Sequence, residues 1–460
     1  MEKEKATFSK AFWTANISET LERMAFYAMF VVITLYLSNT LGFNDIQASM
    51  ISGVFSAGLY FLPMFTGAYA DKIGYRRSLL VAFLLLAIGY LLMALFPLLL
   101  QQKELVAYGQ KTIFYGLEES SLRWLIIPIM IIIMLGGSFI KSIISASVAR
   151  ETTTENRARG YSIYYMLVNI GSFSGKSIID PLRNVIGDKA YLAINFFSAT
   201  LCVGAMLAIY FFYRSVNATG DNKSTREVWQ GLLKVCCNGR LMMLILIVTG
   251  FWMVQQQLYA TMPKYVIRMA GEGAKPGWIA NVNPLVVVLC VNFVTRLMAK
   301  KSAPISMAIG MFLIPLSAMT MACGNLIHTD LPFSIHPITL MLVLGIVIQA
   351  LAECFISPRY LEYFSLQAPK GQEALYLGFS NLDSFLSSIL GFGLSGILLT
   401  KFCPDPATFA THEEWLAASS HAHYIWFCFA AIGLVSAFAL LIFARVTAKK
   451  DKQQVTNTPS

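Results

Sequence analysis

Apolar runs of about twenty residues recur along the whole chain, and this is the feature that most narrows what it can fold into. Twenty apolar residues in a helix match the roughly 30 Å hydrocarbon core of a bilayer. In lipid a backbone must satisfy its own hydrogen bonds, and a helix does so within one segment. Twelve such spans are expected, near residues 12–38, 50–70, 78–99, 124–146, 161–180, 191–213, 241–263, 278–299, 304–324, 337–358, 373–400 and 422–445. Composition agrees. Hydrophobic residues make up 56% of the chain and charged residues 13%, about half the charge of a soluble domain. The expected fold is therefore an all-α membrane protein with twelve transmembrane helices.

The net charge of +10 invites a nucleic-acid reading, which the placement of the charges excludes. With the N-terminus in the cytoplasm, the inner loops hold 22 of the loop lysines and arginines and the outer loops hold 9. That bias is a topology signal, and it predicts both termini inside. The longest interior polar stretch, 214–240, divides the chain into an N-terminal six-helix bundle (1–213) and a C-terminal six-helix bundle (241–445), followed by a cytoplasmic tail (446–460). Such a division is expected of transporters built from two halves. The N-terminal residues lack an apolar leader core, so the first span is expected to serve as its own insertion signal. The eight cysteines show neither a disulfide framework nor a zinc pattern. His412, His421 and His423 lie in an outer segment and read as solvated. No metal, cofactor or nucleotide loop is expected.

An ionisable side chain at the bilayer centre costs about 2.5–3.5 kcal/mol on insertion scales, so each one needs a partner, water or a task. Glu19, Glu22 and Arg23 fall at i, i+3 and i+4 on one face of the first span, with Tyr27 one turn further. That face is expected to line a wet cavity, where paired carboxylates have the shiftable protonation that proton coupling requires. Lys141, deep in the fourth span, needs a carboxylate, and Glu22 is the best candidate. Glu353 stands as the only acid in the middle of the tenth span, and Asp383 is a further acid in the eleventh. Lys176 and Asp180, one turn apart, read as a helix-surface pair.

These residues also carry a resemblance. The run ETLERMAFYAM, Glu19 to Met29, resembles the E-x-x-E-R-F-x-Y-Y-G-M motif of the proton-dependent oligopeptide transporters, the peptide branch of the major facilitator superfamily. Further similar segments follow in order: GLYFLP from Gly58, GAYADKIGYRR from Gly67, FIKSIISA around Lys141, YSIYYMLVNIGS from Tyr161, GFWMVQQQ from Gly250, VNPL from Val282 and AECFISP from Ala352. The resemblance implies the major facilitator superfamily fold and proton-coupled import of di- and tripeptides or peptide-like zwitterions by alternating access. It implies that Glu19 and Glu22 exchange protons, and that Lys141 pairs with Glu22 and then releases to hold a peptide carboxylate, with Arg23 assisting. Glu353 and Asn283 would face the peptide amino group. Tyr27, Tyr60, Asn169, Trp252 and Gln257 would line the pocket. Asp71, Arg76 and Arg77 would belong to the superfamily's gating loop.

The chain departs from the family pattern at several places. Phe30 stands where the family has an arginine, Met24 and Phe26 replace aromatic motif positions, and the eleventh-helix tryptophan is missing. These changes bear on which substrate is carried. The alternative reading is a proton-coupled antiporter exporting drugs or metabolites. The expected partners are small peptides, protons and the lipid bilayer, for a monomer driven by the proton gradient in a bacterial inner membrane.

Overall fold

A computed structural model describes residues 8–100, 102–107, 110–115, 121–152, 157–214, 224–298, 301, 303–327, 335–367 and 379–456. Among the described residues the architecture is helical, with one small hairpin. The long helices in chain order are α1 (Lys10–Phe30, continued by Ile33–Leu35 and Tyr36–Thr40), α2 (Asp45–Phe61 and Pro63–Ile73), α3 (Tyr75–Leu95), α4 (Ile126–Arg150), α5 (Arg157–Ile186) and α6 (Ala190–Phe212). They continue with α7 (Gly239–Gln255, Gln257–Ala260 and Met262–Ala270), α8 (Pro276–Met298), α9 (Ala303–Cys323), α10 (Pro337–Gln367), α11 (Leu382–Phe402) and α12 (Tyr424–Thr456). Ten helices among the described residues are long and apolar enough to cross a membrane, and α1, bent by 45° near Val31, makes eleven. Helix α5 is as long as the others but carries Lys176, Asp180 and Arg183, which lower its hydropathy.

The breaks have local causes. Pro63 interrupts α2, because its ring removes an amide donor. Gly74 separates α2 from α3 with φ of +92°, a conformation glycine adopts at no steric cost. Between α3 and α4 lies an antiparallel hairpin, β1 (Gln102–Ala107) and β2 (Gln110–Tyr115), with Gln102 opposite Tyr115 and Ala107 opposite Gln110. Its Val106, Thr112, Ile113, Phe114 and Tyr115 are strand-favouring residues. The polar stretch between the third and fourth expected spans is thus a hairpin rather than a further helix.

The chain forms two compact units. The first takes in residues 1–228, 275–281 and 406–412; the second takes in 229–274, 282–405 and 413–460. In the first, α1 packs on α5 and α6, and α3 packs on α4 and α6. In the second, α7 packs on α11 and α12, and α9 packs on α10 and α12. Each pairing recurs six helices later, so an internal repeat is present in the packing although sequence identity does not display it.

The α1–α5 crossing positions the charged face of α1. Gly171 and Gly175 form a G-x-x-x-G pair on α5, and side chains there would collide with the carbonyl oxygens of Thr20 and Met24 on α1. Small residues at this spacing let membrane helices approach backbone to backbone. Ser198 of α6 ties the other side of α1 by donating to the Ala25 carbonyl at 2.9 Å. Overpacking such a contact costs about 1–3 kcal/mol. Gly175→Val is expected to lower the thermal unfolding midpoint in detergent, whereas Gly204→Ala, facing open space, is expected to leave it unchanged; tryptophan fluorescence during heating measures both.

Candidate functional site

Helix α1 carries Glu19, Glu22 and Arg23 at 2%, 1% and 6% exposure. The i, i+4 spacing brings the Arg23 Nε within 3.1 Å of a Glu19 carboxylate oxygen, and an Arg23 Nη atom also pairs with Glu22. One guanidinium thus holds two carboxylates, and its planar fork suits that task. It also lies 5.3 Å from the centroid of the Phe26 ring. An arginine charge buried beside two ionised carboxylates leaves one negative charge over, and Lys141 of α4 is close enough to act on both acids.

Lys141 is not ion-paired to Glu22, in contrast to the pairing expected from the sequence. Its ammonium donates to the Leu59 carbonyl on α2 at 3.3 Å and sits 4.1 Å from the centroid of the Tyr60 ring. The physical reason lies on α1 itself, where Arg23 is one residue from Glu22 and takes its carboxylate. Tyr60 and Lys141 therefore form one cation–π contact. Tyr27 makes another, with the Lys176 ammonium 5.0 Å from its ring centroid.

The surface pairing of Lys176 and Asp180 is also overturned. Both are buried, at 1% and 2% exposure. The Asp180 carboxylate accepts the backbone amides of Gly277 at 3.3 Å and Trp278 at 2.7 Å, so it caps the start of α8. A carboxylate there matches both the orphan donors and the positive end of the helix dipole. Asn169 of α5 donates to the Tyr165 carbonyl at 2.8 Å. Arg76 docks on α6, donating to the Tyr210 carbonyl at 2.6 Å and lying over the Tyr210 ring; Arg77 is exposed, and the Asp71 side chain lies outside the described residues.

The second unit arranges its acid with amides. Glu353 of α10 accepts from the Gln255 side chain of α7 at 2.6 Å and from Asn283 of α8 at 3.2 Å, both on the same oxygen. Two neutral donors from two helices fix the carboxylate's direction. Asn283 precedes Pro284 inside α8, and Pro358 follows Glu353 within α10, so both sit near sites where the helix ladder is interrupted. Gln255 was missed by the sequence reading, which selected Gln257 from the same run of three glutamines.

Gln257 is 1% exposed, and its amide is spent on packing α7 against α11: it donates to the Met253 and Gly391 carbonyls and accepts from Thr261. Both of its amide protons are engaged in this packing, and its carbonyl oxygen takes the Thr261 hydroxyl. The signal that separates the two glutamines is helical phase, because Gln255 follows Trp252 by three residues on the stripe that meets α10. Trp252 itself is half-buried, with its indole beside the Asp383 carboxyl of α11.

Comparison with known proteins places the chain in a family. The Major Facilitator Superfamily profile matches residues 16–335. A relative named multidrug resistance protein MdtH, from Photorhabdus laumondii, is 22% identical over 91% of this chain and 90% of its own length. A relative named dipeptide and tripeptide permease B, from Photorhabdus asymbiotica, is 23% identical over 83% of this chain and 86% of its own. Among solved structures, the POT family transporter PepTSo is similar in fold, with a TM-score of 0.70 at 17% identity over 96% of this chain and 99% of that one. With a profile that covers most of its length and a repeated six-helix packing, this multi-pass membrane chain belongs to the Major Facilitator Superfamily.

Proposed function

We propose that this protein is a proton-coupled importer of di- and tripeptides or peptide-like zwitterions, working by alternating access. The observation that carries the reading is Arg23 bound to both Glu19 and Glu22 inside a membrane helix, with Lys141 nearby but held by the Leu59 carbonyl and the Tyr60 ring. With both acids ionised, Arg23 and Lys141 balance them. A proton on either acid leaves one positive charge in excess, and a buried charge without a counterion is costly. A substrate carboxylate removes that excess. Proton binding and anion binding therefore favour each other, as coupled symport requires. Glu353, aimed by Gln255 and Asn283, supplies the negative group for an ammonium. Tyr27, Tyr60, Asn169 and Trp252 are proposed to line the route and contact the peptide loosely.

The relative named dipeptide and tripeptide permease B and the fold of the POT transporter support this choice. One proton moving inward contributes about 2.3 kcal/mol per 100 mV of potential, and no cofactor takes part. We further propose that the chain works as a monomer in a bacterial inner membrane, with both termini cytoplasmic and residues 214–240 linking two six-helix halves, 1–213 and 241–445. Asp71, Arg76 and Arg77 are proposed to act at the cytoplasmic gate. A second reading, drug or metabolite export by proton antiport, is favoured by the relative named multidrug resistance protein MdtH.

Two substitutions test the proposal in proteoliposomes with labelled dialanine. Glu22→Gln is expected to abolish uptake driven by a pH gradient while counterflow exchange persists; gradient-driven uptake at the wild-type level contradicts it. Glu353→Gln removes a charge-assisted hydrogen bond, worth about 1.5–3 kcal/mol. It is expected to raise the KM for dialanine by about tenfold or more, and an unchanged KM in a folded variant assigns the ammonium elsewhere.

A further inference from the structure

Helix α9 carries no charged residue from Ala303 to Cys323, and α12 carries none from Tyr424 to Ala444. The two helices pack together within the second unit. They meet at Gly433, where a side chain would crowd Ile314 and Pro315 of α9. About a turn further on, Phe312 and Phe438 stand edge to face with ring centroids 5.6 Å apart. An open groove of about 590 Å³ lies along α9 toward its start. Pro304, Ile305, Ala308 and Phe312 line it from α9, and Leu441 and Ala444 line it from α12.

The groove is apolar because α9 turns its polar and small residues to α10. Ser306 donates to the Phe355 carbonyl at 2.9 Å, and Ser317 donates to the Gly345 carbonyl at 2.8 Å. Gly310 lets Ile356 and the Ala352 carbonyl come close. Hydrocarbon is what remains on the other side, where Ile305 is 52% exposed. Lipid tails are as apolar as leucine, so such a wall accepts an acyl chain but does not choose among headgroups.

The rim of the groove supplies the choice. Lys301 stands three residues before Pro304, Arg445 directly follows Ala444, and both are exposed. They are the first charges that the two apolar segments reach at this end, and so they mark where the hydrocarbon stops. Lys300 adjoins Lys301 in the sequence, and Arg445 is followed by Lys449, Lys450 and Lys452 against one acid, Asp451. Nearby on α10, Arg359 pairs with Glu362 at 2.7 Å and donates to the Met298 carbonyl at the end of α8. Lysines and arginines gathered at the end of a membrane helix attract anionic headgroups.

We propose that this groove binds an anionic phospholipid, with one acyl chain along α9 and the phosphate between Lys301 and Arg445. Phosphatidylglycerol has the chemistry it fits; a zwitterionic lipid brings its own ammonium to the same cations. A second copy of the chain fits poorly, because a symmetric pairing through this face sets one basic rim against another. The bound lipid joins α9 to α12 only in the folded state and so stabilises that pair. The site is independent of the substrate route and of the importer reading.

Native mass spectrometry of the purified full-length protein, incubated with equal amounts of phosphatidylglycerol and phosphatidylcholine of the same acyl chains, reads the choice. The lipid still bound at the highest collision energy is expected to be phosphatidylglycerol. Lys301→Gln combined with Arg445→Gln is expected to lower that preference, by about fivefold for each cation removed. Arg214→Gln combined with Lys234→Gln, exposed cations elsewhere, is expected to leave it unchanged. Ala308→Trp, which fills the groove, is expected to lower retention of both lipids. Equal retention of the two lipids by the wild type overturns the proposal. So does a preference that the rim pair leaves intact, one that the control pair lowers as much, or wild-type retention in Ala308→Trp. A lipid-free dimer would place a second copy in the groove and also overturn it. If Ala308→Trp does not fold, the rim and control pairs decide, because all four of their side chains are exposed.

Discussion

Arg23 is buried in the middle of a membrane helix between two carboxylates of the same helix, and the charge balance around it constrains the first unit. A guanidinium stays protonated, so its charge must be matched at every step. With both acids ionised, Glu19 and Glu22 overmatch it by one, and the Lys141 ammonium on α4 acts on both of them. On the proposed reading, a proton or an anion cannot enter this cluster without altering the affinity for the other. The close α1–α5 approach, made possible by Gly171 and Gly175, sets the rotation of α1 and with it the face on which the cluster lies.

The second unit handles an acid differently. Glu353 has Gln255 and Asn283 as donors, and amides direct a carboxylate without neutralising it. An amide-braced carboxylate keeps attraction for an ammonium. The recurrence of each helix pairing six helices later means that α1 and α7 occupy equivalent places in their own units. One carries the arginine and its two acids; the other carries Trp252 and Gln255. The two units thus share their packing and differ in the chemistry of their first helix.

Much of this was legible in the sequence because lipid makes it so. Apolar length announces a membrane helix, and an ionisable residue within one is rare enough to stand out, so Glu19, Glu22, Arg23, Lys141 and Glu353 were visible at once. Pairing was less legible. Lys141 was assigned to Glu22 because each needed a partner, yet Arg23 is nearer by virtue of sharing the helix. Lys176 and Asp180 were read as a surface pair from spacing alone, which carries no information on the α8 amides that take Asp180. Gln255 and Gln257 are alike in composition and differ only in which neighbouring helix they meet. The hairpin at 102–115 was missed because two short strands lack a long periodic signal.

The most direct test of the charge-balance account is proton movement on addition of substrate. Wild-type protein in vesicles with a trapped pH indicator and no imposed gradient should acidify the interior when dialanine is added outside, and N-acetyl-dialanine amide, lacking both terminal charges, should not. Dialanine entry with no change in internal pH, or alkalinisation of the interior, would contradict the claim that the Glu19–Glu22–Arg23 cluster links proton binding to anion binding.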